Sequence, residues 1–225
     1  MNINQIISES IVEQESSGQV WYHGTPDERE VKAGGFIPRT DTTDIITDPQ
    51  KQQELLQQMQ TARESGNEDL YFELLDVVGR LSKKLTYNKP IYFTNSHSVA
   101  RTYADPQRAF DYQGSEPKTL QVTIDDSGNV LKVPAFGERF RGIKADVVKR
   151  SLMNAGVPEE QVDKYFGALT NHIRNDKMTS ETLGIIAQQL GFDIIDVLGV
   201  LDSYHGGNVK STVRMVFDPQ RITIN

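Results

Sequence analysis

The sequence predicts an α+β domain, and three observations carry that reading. Runs with strand character sit at both ends of the 225-residue chain, a helical middle fills 144–190, and strands and helices do not alternate regularly as βαβ units would. The expected organisation is an N-terminal helical lead segment over 1–18. A single domain then follows over 19–225, with helical insertions at about 41–85 and 144–190.

Taken in order, Ile3, Ile6, Ile7, Ile11 and Val12 recur near helical spacing, and Ser16-Ser17-Gly18 ends that segment. Gln19 to His23 reads as a strand that Gly24-Thr25-Pro26 turns out of. Residues 41–76 hold nine acids against Lys51 and Arg63. Their apolar residues suggest two helices broken at Ser65-Gly66-Asn67, a solvated acidic hairpin. Pro90 to Thr94 reads as a strand and Ser98 to Ala104 as a short helix. Leu120 to Ile124 alternates like a strand, and Asp126-Ser127-Gly128-Asn129 is expected to turn it back into Val130 to Val133. Helices are expected over Ala145–Asn154, Glu159–Asn171 and Glu181–Leu190, with Gly191 as a C-terminal cap. Ile194 to Val200 and Val209 to Phe217 close the chain as strands.

Composition excludes several classes of chemistry. The chain has no cysteine, so disulfides, thiolate-bound metals and thiol nucleophiles are out. Its histidines (His23, His97, His172, His205) are scattered, and no metal site is expected. A net charge of −7 argues against a general grip on nucleic acid phosphates. No apolar run reaches membrane-spanning length. Residues 1–18 lack Lys and Arg and carry Glu9, Glu13 and Glu15, unlike a signal peptide. A soluble, cytoplasmic protein is expected, in a host cytoplasm or associated with a virion if phage-encoded. The basic residues Arg139, Arg141, Lys144, Lys149 and Arg150 read as a solvated face, or as a docking patch for an acidic target or RNA.

Two segments carry the chemistry: Trp21-Tyr22-His23-Gly24-Thr25, and Ile91-Tyr92-Phe93-Thr94-Asn95-Ser96 with Ala100 and Tyr103 after it. Together, and with the tail Val213 to Ile222, they resemble the ADP-ribosyltransferase superfamily, in its diphtheria-toxin and poly(ADP-ribose) polymerase branch. The likeness spans roughly 19–40, 88–134 and 190–225. It implies two small, packed, mostly antiparallel sheets with helices around an NAD cleft. It further implies that His23 binds the adenosine ribose with support from Thr25, that Gly24 offers its backbone to the carboxamide, and that Tyr92 and Tyr103 sandwich the nicotinamide. The Thr94-Asn95-Ser96 turn would add a polar contact. Ala100 stands where many members have a serine.

The implied reaction is mono-ADP-ribosyl transfer from NAD, as substrate, to a macromolecular target, protein rather than RNA, with nicotinamide released. His23, Tyr92 and Asp202 are the candidate catalytic residues, while His23, Gly24, Thr25, Tyr92, Thr94, Ser96 and Tyr103 are the candidate cofactor-binding residues. The family also places a Glu on a late strand to steady the ribose. Residues 209–217 contain no acid, with Val213 or Arg214 at the expected place, and Asp202 is the candidate substitute. The missing acid supports a rival reading, a catalytically inactive NAD-fold binding or virion-associated module. An RNA 2′-phosphotransferase shares the fold and the His-Gly-Thr motif, but no basic residues accompany that motif in sequence.

Overall fold

A computed structural model describes residues 19–25, 31–32, 35–46, 48–104, 118–135, 142–169, 172–202 and 209–225. The lead segment, Arg139, Arg141 and the loop over 203–208 lie outside the described residues.

Seven strands form one mixed sheet. These are β1 (Trp21–Thr25), β6 (Ile91–Thr94), β7 (Lys118–Ile124), β8 (Val130–Pro134), β12 (Ile194–Asp202), β13 (Val209–Val216) and β14 (Ile222–Ile224). Their order is β14-β7-β1-β6-β13-β12-β8, antiparallel throughout except for the parallel β12/β8 pair. The expectation of two separate sheets is therefore corrected. A single registered pair, Tyr22↔Thr94, joins β1 to β6 and keeps the sheet continuous. By contrast β1 pairs with β7 along its whole length.

The expected hairpin at 126–129 is also corrected. β7 and β8 are not neighbours but lie five strand positions apart. The link 125–129 can reach about 20 Å at full extension, while five flat interstrand spacings need about 24 Å. The sheet therefore folds over on itself, and its pairing is thinnest at the β1/β6 joint. Contacts across the fold agree. Trp21, Phe36, Phe93, Val122, Ile124, Ile194, Val216 and Ile222 share one buried cluster, drawn from both halves of the sheet.

The other face of β12 and β13 carries the larger core. Leu131, Ile195, Val197 and Met215 pack against α4 (Ala145–Asn154), α5 (Glu159–Ala168) and α6 (Ser180–Gln189). These three helices fall close to where periodicity predicts them. Gly191 follows α6 at φ +84°, a left-handed conformation that suits the helix exit. The sequence did not reveal a small sheet made of β9 (Ile143–Lys144), β10 (Ile173–Arg174) and β11 (Lys177–Met178). Its β10/β11 turn uses Asn175 and Asp176, both at positive φ, as a two-residue hairpin requires.

Residues 40–88 make a separate excursion. β4 (Thr40–Ile45) and β5 (Lys83–Asn88) pair at its base, so the stretch opens and closes as strand rather than helix. Between them α1 (Pro49–Glu64) and α2 (Glu68–Leu81) turn at 65–67, the predicted break. Asp48 caps α1 by accepting from the Lys51 amide at 3.1 Å, and Asn67 caps α2 by accepting from the Leu70 amide at 3.1 Å. The hairpin has its own small core of Ile46, Leu55, Ala62 and Leu74. The remaining elements are β2 (Val31–Lys32), β3 (Gly35–Phe36) and α3 (His97–Tyr103).

Candidate functional site

Where β1 and β6 diverge, the His23 side chain occupies the gap. Its Nδ1 lies 2.8 Å from the Tyr92 carbonyl oxygen. A carbonyl only accepts, so Nδ1 carries the proton in this contact. The ring packs edge-on against Phe36 at 4.9 Å and beside Phe93 at 5.5 Å. The imidazole thus links β1 to the main chain of β6 next to the thin joint.

A cleft of about 510 Å³ opens there. Its walls include His23 and Phe36, then Lys89 and Pro90 from the β5–β6 link, Tyr92 from β6, and Thr179, Ser180 and Glu181 from the start of α6. The rim is basic through Arg39 and Lys89. Lys89 pairs with Asp41 at 2.7 Å, which holds the ammonium above its ordinary range and the carboxyl below its own. The link that bears Lys89 is pinned by Gln188 of α6. That side chain accepts from the Asn88 amide and donates to the Asn88 carbonyl, both at 2.9 Å.

Tyr92 is 37% exposed, and its hydroxyl lies 3.4 Å from Ser180 Oγ. Burial pushes the phenol upward from its ordinary value. Behind the wall, the Tyr87 hydroxyl, which is not itself among the cleft's walls, donates to Glu181 Oε1 at 2.5 Å. Burial, and then the Glu181 carboxylate, push the Tyr87 phenol well above its ordinary value.

The structure thus brings His23 and Tyr92 into one cleft, and the other candidates stand differently. Gly24, Thr25, Thr94, Ser96 and Tyr103 are not among that cleft's walls. Gly24 has a packing reason: a Cβ there would lie 1.8 Å from the Ala100 carbonyl oxygen of α3. Thr25 is buried, and so is Thr94, whose Oγ1 accepts from the Ser96 amide at 3.2 Å. Ser96 caps α3, its Oγ accepting from the Val99 amide at 3.4 Å. Asn95 ties the same turn to β13 by accepting from the Thr212 amide at 2.9 Å. Tyr103 is 46% exposed at the end of α3. Asp202 ends β12 opposite Val209, and its side chain falls outside the described residues.

Strand parity distinguishes the two positions considered for the late-strand acid. Met215 pairs with Tyr92 and Val213 with Thr94, so these four share one face, while Arg214 and Phe93 share the other. Arg214 is committed inside the fold-over. Its Nε and second amino group each lie 2.7 Å from a different oxygen of Asp196, it also contacts Asp126, and it stacks on Trp21 at 4.2 Å. Burial is the largest single influence and would weaken its charge, but the hydrogen bonds and charge of Asp196 together with those of Asp126 more than offset it and raise its pKa. Ser211 and Val213, on the Tyr92 face, are neutral, and the Ser211 hydroxyl is buried without a hydrogen-bond partner among the described residues.

Of the basic cluster, Lys149 pairs with Asp163 at 2.6 Å and Arg150 with Asp146 at 2.9 Å, all solvent-facing. Among the described residues no group of acids and histidines is arranged to hold a metal ion, and no helix is long and apolar enough to cross a membrane. Sequence reasoning missed Tyr87, Glu181 and Gln188 as cleft builders. No family model, curated protein or solved structure matches this chain.

Proposed function

We propose that the chain binds NAD at the divergence of β1 and β6 and transfers its ADP-ribose unit to a macromolecular target, releasing nicotinamide. One observation carries this reading. His23 and Tyr92, from two segments far apart in sequence, meet at the mouth of a split in the sheet, beside a cleft large enough for part of a dinucleotide. The residue types suit the ligand. The Tyr92 face attracts a cationic pyridinium ring, and Arg39 on the cleft wall suits a pyrophosphate. In the step itself, the ribose–nicotinamide bond breaks with its electron pair passing to the pyridinium nitrogen. A lone pair on the acceptor forms the new bond to the anomeric carbon, and the acceptor's proton is lost to water.

The second reading, an inactive NAD-binding module, draws on a specific observation. The face of β13 that Tyr92 shares holds Ser211, Val213 and Met215 and no acid. Incubation with labelled NAD, with and without cell lysate, followed by mass spectrometry of protein and RNA separates the readings. Modified macromolecules support the transferase. Free ADP-ribose alone makes it a glycohydrolase, and binding without turnover makes it a binding module. Absence of both binding and turnover contradicts the NAD reading.

A further inference from the structure

The anomeric carbon carries positive charge as nicotinamide leaves, and a fixed carboxylate nearby lowers that barrier. Among the described walls of the cleft one acid is present, Glu181. It stands in the first turn of α6, a helix anchored by the buried Leu183, Ile185, Ile186 and Ala187. The anchoring is close: a Cβ at Gly184 would meet Met215 of β13 at 3.2 Å. Tyr87 holds Oε1 at 2.5 Å, and Oε2 makes no hydrogen bond among the described residues. Negative charge in a helix first turn is common for reasons of helix stability alone. That does not explain why a tyrosine from another element holds the carboxylate, or why the carboxylate shares a wall with Ser180, which touches the Tyr92 hydroxyl.

We infer that Glu181 is the carboxylate that faces the developing charge on the ribose, with Tyr87 as its positioning residue. The inference rests on the NAD reading above. It moves the acid from the late strand to the helical segment 144–190, which the family resemblance did not cover. The Glu181 carboxylate opposes the oxocarbenium charge and accepts a hydrogen bond from the ribose 2′-hydroxyl. Asp41, which is not among the cleft's described walls, is already paired with Lys89.

The test compares the parent, Glu181→Gln, Glu181→Asp and Tyr87→Phe in the full chain. Each is measured for NAD affinity, turnover and thermal unfolding. Glu181→Gln should lower turnover by about 10²–10³ with NAD affinity within a few-fold and an unchanged unfolding midpoint. Glu181→Asp should recover part of the loss. Tyr87→Phe should cost about tenfold in kcat at unchanged KM, the worth of one hydrogen bond. A parent that turns over NAD while Glu181→Gln is equally fast overturns the assignment and leaves the NAD reading intact. If the parent binds without turnover, its preference for oxidised over reduced NAD is the readout. Loss of that preference in Glu181→Gln supports a carboxylate facing the cation, and an equal preference overturns it. A parent that binds no NAD removes the premise and the inference together.

Discussion

Asp196 and Glu181 are both carboxylates held by a named donor, and their surroundings differ at every other point. Asp196 is 1% exposed, and Arg214 occupies both its oxygens while also stacking on Trp21. Glu181 is exposed, with one oxygen held by Tyr87 and the other turned to no partner among the described residues. The first is a closed contact within the folded-over sheet. The second is a half-closed contact at the edge of a cleft. The difference separates charge that maintains structure from charge left available to a ligand, although the two look alike in sequence.

The comparison breaks most visibly at Arg214. Arg214→Ala removes the cation that pairs with both oxygens of buried Asp196 and should destabilise the fold by about 3–5 kcal/mol, read by denaturant unfolding. The double change Arg214→Met with Asp196→Leu should recover most of that loss, because well-packed apolar residues often replace a buried pair at little cost. No recovery would mean that the pair does more than close the interior. For the same reason Arg214→Glu is not a way to restore a late-strand acid: it would set two carboxylates together on the face turned away from Tyr92.

Gly24→Ala comes next. Its Cβ would press on the backbone of α3, which cannot rotate aside as a flexible side chain would. The expected loss is about 3 kcal/mol by thermal melt, at the upper end of ordinary overpacking. A neutral result would free Gly24 for a role facing ligand rather than helix.

Tyr87→Phe sharpens the comparison through pH. The Tyr87 phenol is raised in the folded protein, so the folded state holds its proton more tightly than the unfolded chain does. Its contribution is complete below pH 10, the ordinary tyrosine value, and is lost as pH rises above it. The parent should lose stability steeply above pH 10, and Tyr87→Phe should flatten that slope. An unchanged slope would place the effect on other phenols.

The smallest effect is expected at the acidic excursion. α1 and α2 share a small core of their own, and α1 also touches α5 beside the larger core. Replacing 49–81 by a short glycine-rich link should leave NAD affinity within about twofold, since among the described residues none of that span lines the cleft. Loss of binding in a folded variant would show that the excursion supports the cleft. Phe72, 62% exposed on α2 among acidic neighbours, suggests that partner choice is what such a deletion would alter.

Local pattern made much of this legible. Alternation marked β7, strand-like runs marked β1, β6, β12 and β13, and helical runs with Gly191 as a cap marked α4 to α6. Pairing across long sequence distance was not legible. Nothing in the turn residues 126–129 says that β7 will join β1 while β8 joins β12. His23 and Tyr92 could be named from their motifs. Glu181 could not, because a Glu in a helix first turn is what helix stability alone would select. Tyr87 lay just past the helical insertion expected over about 41–85, where no strand was read, and Arg39 and Lys89 reach the His23 cleft only through the fold. Parity on β13 likewise needed the register with β6 before Arg214 could be assigned to the interior.

The central claim is that the cleft at the β1/β6 divergence binds NAD through the Tyr92 face. Calorimetric titration of NAD into the parent and into Tyr92→Ala tests it most directly. Saturable binding in the parent, weakened by about 1–2 kcal/mol in the variant, is the predicted result. Equal affinity in both proteins, or no heat in the parent, would contradict it.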